Sequence, residues 1–401
     1  MRILILLFIN CIFSVILYSQ ENVTIKLDDQ DRFIFKNGNN NSATIEVKNS
    51  NNLFIGKQID NVVSAEENTS FGIGALNNVS SSNQNVALGI YSLSNNVGGG
   101  NTATGSFSLF NNLSGSSNVV NGNSVMYFNT TGSQNIALGS SSLYESKAKH
   151  NNVAIGHESM RNMGGDNTTE LTFNTALGFN AMYGGSDPTL NTGKFNTAVG
   201  SESLKGLTTG EYNVGVGYRA LLFNTEGIRN TAIGTEALQN NTTGNRNTGL
   251  GFGVLNFNTT GNANVGVGDQ TLYRNTTGGA NTAIGTSSFH SNETGNFNVA
   301  VGHQSLYQNV SGVRNVAIGA DALYSNTADY NTAVGDEALS SNTSGTLNVA
   351  TGAAALRANT TGSFNSAHGT GALRVNTEGE YNSAYGRSAL RMNTTGSNNS
   401  A

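Results

Sequence analysis

The chain has 401 residues, a net charge of -5 and only 11% charged residues, with 50 glycines, one proline and no tryptophan. Its charges are scattered, which argues against a nucleic-acid binder, since such proteins gather basic residues into a patch. A strict apolar pattern runs through the Asn- and Thr-rich text, which argues against a disordered polar chain.

The chain opens on "MRILILLFINCIFSVILYSQ", one positive charge followed by an apolar run from Ile3 to Tyr18. The run is short for a membrane span and reads as a secretory signal peptide over residues 1–19, with a retained anchor as the alternative. Cys11, the only cysteine, lies within it, and "FINC" lacks the small residues of a lipoprotein signal. The mature chain is therefore expected to be exported, without disulfides or thiolate metal sites.

Residues 20–67 contain three alternating stretches, "NVTIKL", "RFIFK" and "ATIEV", which predict strands. They precede "NLFIG" at 52–56, which resembles a degenerate first repeat. This segment is expected to cap the repeats that begin at Asn68.

From Asn68 onward the chain repeats. Counting from the Asn of each "N-[TV]-A-[IV]-G", twenty starts run from Asn68 to Asn399, and fifteen of the nineteen intervals are 17 residues. Two are 16, and the two between Asn152 and Asn196 are 22, which marks a loop at that phase of the repeat. Position 5 is Gly in all nineteen complete repeats. Position 9 is Leu in fifteen, Met in three and Phe in one, and position 3 is Ala in fourteen.

Seventeen residues are too few for a helix pair but suffice for short strands and turns. "N-T-A-I-G" predicts one strand, "x-A-L-x" a second, and "N-T-T-G" a turn. The fold class is therefore all-β, a parallel β-solenoid with one coil per repeat over 68–401. Coils at the strand spacing of about 4.8 Å give a rod of roughly 90 Å. Position 9 is expected to form the core ladder, position 3 to permit close packing, and position 4 to lie on an outer face. One large apolar residue per coil is a thin core, so association with further copies is expected.

"NVAIG", "NTAVG" and "NVALG", each followed by "AL", resemble the head repeats of YadA-like trimeric autotransporter adhesins and of related surface and tail-fibre proteins. The resemblance covers 68–401. It implies a left-handed β-roll, a homotrimer, display at the cell surface or outer membrane, and attachment to a host, matrix or cell-surface protein or glycan. The repeat here is longer than the family's. Neither coiled-coil heptads nor a C-terminal membrane anchor is recognisable, and the text stops three residues into a twentieth repeat. A fragment of a longer protein is therefore expected, with membrane contact only through an anchor outside it.

Little points to chemistry. "GLGFGVL" and "GVGDQ" follow the repeat's own spacing, with no strand–turn–helix context for a dinucleotide. His150, His157, His290, His303 and His368 lack paired metal-ligand spacing. "MGGD" and "GGSD" lack the recurring carboxylates of calcium arrays. No enzyme activity, cofactor, metal or nucleic acid is expected. The candidate ligand face is position 10, which is Tyr127, Tyr144, Tyr183, Tyr273, Tyr307 and Tyr324 in six repeats and Arg357, Arg374 and Arg391 in the last three. Such rows suit a glycan, a protein or an anionic polymer, although Tyr also simply favours strands. The sequence thus predicts an exported surface adhesin or fibre segment. The alternatives are a passive spacer and an ice-binding solenoid.

Overall fold

The computed structural model describes residues 68–78 and 83–401 in full. Before them it describes the backbone of five strands, Leu7–Ile9, Ile12–Ser14, Arg32–Lys36, Ser42–Lys48 and Asn52–Gly56. Apart from the antiparallel pair Leu7–Ile9 and Ile12–Ser14, the expected leader lies outside the described residues, as does "NVTIKL". Nineteen three-residue strands, from Thr69–Phe71 to Ser383–Tyr385, fall at positions 2 to 4 of successive repeats. Each pairs in parallel with the next at the same phase, as in Thr231↔Thr248 and Ile233↔Leu250. The molecule is a β-solenoid of about 17 residues per coil.

Asn52–Gly56 pairs in parallel with Thr69–Phe71, placing Leu53, Phe54 and Ile55 at the phase of positions 2 to 4. Its other edge pairs antiparallel with Ser42–Lys48, which pairs with Arg32–Lys36. The parallel stack thus continues into an antiparallel meander.

The second predicted strand is absent. Positions 6 to 11 form a turn in which positions 7 and 9 are left-handed, for example Glu236 at φ 57 and Leu238 at φ 52. Position 17 is left-handed as well, as in Arg246 at φ 56. The left-handed region costs a non-glycine residue roughly 1–2 kcal/mol, so these turns persist because their neighbours hold them. Coil-to-coil bonds continue through the turn, with Leu238 N donating to the Val254 carbonyl and Asn240 N to that of Asn256. The Asn of "N-T-T-G" serves the core and not the turn's φ.

Two glycine columns result from the closeness of the coils. Gly234 at position 5 has φ +136, and a Cβ there would sit 2.2 Å from the Gly251 carbonyl oxygen of the next coil. Gly244 at position 15 has ordinary φ, but a Cβ would lie 2.3 Å from Asn241 Oδ1 and 2.5 Å from the Gly261 carbonyl oxygen.

The interior is half amide. In the coil that starts at Asn230, the buried side chains are Asn230, Ala232, Ala237, Leu238 and Asn241. Position 9 is buried and position 4 is outward, Ile233 being 40% exposed. Position 1 forms an unbroken ladder. Asn247 accepts on Oδ1 from the backbone N–H of Asn264 at 3.0 Å and from its Nδ2 at 3.2 Å. Its own Nδ2 donates across the coil to the Gly261 carbonyl at 2.8 Å. The backbone rung recurs nineteen times from Asn68 to Asn399. Position 12 forms a second ladder, in which Asn241 Nδ2 donates to Asn224 Oδ1 at 2.7 Å and to the Gly244 carbonyl at 3.0 Å.

This arrangement predicts that Asn247→Ala costs about 1–3 kcal/mol, because it strands buried donors on Asn264. Thr243→Ala, in an exposed turn, should cost less than about 0.5 kcal/mol. Urea unfolding of the two variants checks the contrast, and equal midpoints would remove the ladder from the account of stability.

Candidate functional site

Position 10 comes directly after the left-handed residue at position 9, and its tyrosines, Arg357 and Arg374 are half-buried, whereas Arg391 is exposed. Stacking at the coil spacing brings them ring to ring. Phe110 and Tyr127 have centroids 5.2 Å apart, and Tyr127 and Tyr144 5.4 Å. The Arg161 guanidinium lies 5.0 Å from the Tyr144 ring centre and donates to the Tyr183 hydroxyl at 3.1 Å. Three of the predicted tyrosines therefore belong to one row, joined by an arginine and extended by a phenylalanine that the repeat pattern alone does not single out.

The second row spans four coils. Tyr273, His290, Tyr307 and Tyr324 stack at 5.3, 5.1 and 5.2 Å, with interplanar angles of 17°, 17° and 4°. Lys205, Leu222, Gln239 and Asn256 occupy position 10 between the two rows, so these do not join. Arg357 is paired with Glu337 at 3.1 Å. Among the described residues no carboxylate lies within ion-pair distance of Arg374 or Arg391.

This geometry limits what the rows can recognise. Inner rings have both faces covered by their neighbours, so a sugar ring cannot stack on them. What remains are ring edges and phenolic hydroxyls repeating at about 5 Å, which suit hydrogen bonding to a periodic ligand. Burial raises the Tyr144 pKa, reinforced by Glu145, so that hydroxyl stays protonated. Burial lowers the His290 pKa, with Arg274 adding to the effect, and its Nδ1 lacks a hydrogen-bond partner.

A further row is not among the residues expected from the sequence. Position 17 carries Phe173, Phe195 and Tyr212, stacked at 5.7 and 4.9 Å, and Phe364 on Tyr381 at 4.7 Å. Arg314 sits over both Phe297 and Tyr330 and donates to the Tyr330 hydroxyl at 2.7 Å. These rings are more open than those at position 10, with Tyr212 49% and Phe297 60% exposed. The signal was an aromatic recurring just before the Asn that starts each coil.

The two 22-residue coils hold a separate polar cluster. The first of them pairs Glu170–Leu171 with Lys149–His150 of the 17-residue coil before it, and the second holds a short 3-10 turn, Pro188–Leu190. The buried Lys149 ammonium meets Asp166 at 2.5 Å, the Thr168 carbonyl at 2.9 Å and Glu170 at 3.5 Å. Burial pushes the Asp166 carboxyl upward, but hydrogen bonds from Lys149 and Thr168 outweigh it and hold the pKa below the usual range. Beside Lys149 is a cavity of about 10 Å³ lined by Ser146, Met163, Thr172 and Asn191.

His150 Nδ1 accepts from the Ser133 N–H at 3.1 Å, and His157 stacks on Phe179. Among the described residues, no three His, Cys, Asp or Glu side chains are placed to hold a metal, and no helix is long and apolar enough to cross a membrane. The chain matches no protein-family model, and no curated protein or solved structure is significantly similar to it.

His290 supplies a prediction. Because its folded pKa is lowered, its contribution to stability is full above the ordinary value of 6.5 and is lost as pH falls below it. Melting should therefore drop between about pH 7.5 and about pH 5, with part of the drop abolished in His290→Tyr. An identical drop in the variant would clear His290 of the effect.

Proposed function

We propose that this chain is the rod of an exported surface adhesin or fibre, in which copies pack side by side and display repeated weak binding rows. The observation that carries the reading is the outward face of the coil strands. Positions 2 and 4 supply two residues from each of the nineteen strands, and none is Lys, Arg, Asp or Glu. Ile233, Leu250, Ile284 and Ile318 are each 40% exposed or more. Eighteen rungs at about 4.8 Å make this face about 85 Å long, and a strip about 10 Å wide offers on the order of 800 Å² per copy. That is the size of a standard stable interface, and its lack of charge suits an apolar partner.

The resemblance to YadA-like head repeats supports three copies and surface display. The rows at position 10 would then face outward as repeated weak sites, gaining from avidity what each lacks alone. No catalytic role is proposed. Light scattering with small-angle X-ray scattering should give a rod-shaped multiple of the 41.8 kDa chain, three-fold by the resemblance. Ile233→Glu with Ile284→Glu should reduce it to a folded monomer. Binding to arrayed glycans and matrix proteins should weaken in Tyr273→Ser with Tyr307→Ser. An associated rod that binds nothing would favour a spacer.

The same face supports a second reading. Position 2 is Thr in eight coils, set on a flat strand lattice, unlike the adjacent turn threonines. Thermal hysteresis from a monomeric chain would favour ice binding and exclude a face buried between copies.

A further inference from the structure

The uncharged strand face carries similar residues at most coils, departing at position 4 in Thr104, Asn121, Thr351, His368 and Tyr385, which creates a problem for side-by-side packing. Only a partner with the same spacing matches ridge to groove along eighteen rungs, and a second copy of this chain is such a partner. Sliding one copy past the other by one coil restores most of the contacts. Registers of repetitive strands are weakly specified for this reason. Something non-repeating must distinguish the aligned pairing from its slipped alternatives.

The coil at 174–195 departs most from the pattern. From residue 171 to 177 buried residues alternate with more exposed ones. Thr172, Asn174 and Ala176 are buried, whereas Leu171, Phe173, Leu177 and Phe179 are 45–55% exposed. Leu177 stands with Thr175 on the outward face of the strand Thr175–Leu177, and Phe173 and Phe179 flank that strand at its two ends. Phe195 and Tyr212 extend the Phe173 stack into the next two coils. In a regular coil the places of Phe173, Leu177 and Phe179 hold Arg229, Ile233 and Thr235, only one of which is a large apolar residue. Leu171 pairs with His150 of the 17-residue coil before it, where a polar side chain takes its place.

We propose that this apolar cluster, Leu171, Phe173, Leu177 and Phe179 with Phe195 and Tyr212, is a register key through which copies of the chain align coil for coil. In the aligned pairing the cluster meets its own counterpart and buries the largest apolar surface. A slip of one coil toward the N-terminus sets Phe173 and Phe179 against the phases of Asn151 and His157. This inference rests on the side-by-side association proposed above.

The test maps contacts between full-length copies with cysteines in a Cys11→Ser background. Chains carrying Thr231→Cys and chains carrying Val265→Cys, two coils apart, bear tags of different size and are co-expressed and oxidised. Disulfides need Cα atoms within about 7 Å, so aligned copies give same-site links only. In Leu171→Ser with Phe173→Ser and Phe179→Ser, the mass by light scattering should stay constant while mixed 231–265 links rise several-fold. Far-UV circular dichroism checks the fold, and Phe179→Thr is read the same way should the triple variant not fold.

Mixed links at comparable yield in the unaltered chain, or no same-site links in an associated chain, would overturn the proposal. So would a triple variant whose links stay as exclusive as before, or one that dissociates, since the cluster would then carry association and not register. A monomeric unaltered chain would remove the side-by-side reading itself, a result that light scattering separates from loss of register.

Discussion

The distance between coils is set by the asparagine at position 1, and most of the architecture depends on it. Its Oδ1 receives the next coil's backbone N–H, and its Nδ2 crosses the lumen to the carbonyl of the glycine at position 15. One side chain thus fixes both the separation of adjacent coils and the width of a single coil. At that separation the backbones at position 5 come too close for any Cβ, and position 3 admits little more than Ala. A buried amide normally costs stability unless its donors and acceptors are matched. At position 1 identical neighbours match them rung after rung, and at position 12 most do, the Asn309 side chain being unpaired, so a core with one large apolar residue per coil holds together.

The irregular coils show how far this solution tolerates change. The position 1 ladder passes through them without a gap, from Asn152 through Asn174 to Asn196. The position 12 ladder does not. Ser146, Met163, Gly185 and Leu207 take the phase of its asparagines, and Asn129 Oδ1 is left without a partner. The cavity and the Lys149 cluster sit at this break. Buried Lys149 makes contacts to Asp166, Thr168 and Glu170 where regular coils use amides. Five extra residues are thus accommodated on the side of the coil that the position 1 ladder does not hold.

Much of this was legible in the sequence because stacking turns three-dimensional constraints into columns. Leu at position 9, Ala at position 3 and the invariant Gly at position 5 each report a stacking requirement directly, and the outward placement of position 4 was evident from its variability. Two things were misread. "x-A-L-x" alternates like a strand, yet Glu236 and Leu238 are left-handed, a conformation that side-chain type scarcely reports outside Gly and Asn. Asn at positions 1 and 12 read as strand edge and turn, because solitary asparagines usually serve there. A polar residue that recurs without exception at one phase, as Asn does at all twenty starts, was the signal that its amide is structural.

Stacking also decides where recognition on such a rod can reside. The interior is committed to the ladders, and the central strand stripe is uncharged and changes little from one coil to its neighbour over most of its length. Aromatic columns at position 10 spend their ring faces on each other, which rigidifies them and leaves edges and hydroxyls for a ligand. A column spaced at the coil repeat matches a polymer of similar period far better than a compact ligand, since the contacts of a polymer accumulate along the axis. Variation between coils then carries the selectivity. The tyrosine rows, the arginine-rich end at Arg357 to Arg391 and the phenylalanine cluster at 173–179 each break the monotony in a different stretch. A uniform rod has strength without address, and these departures from the repeat are where address is written.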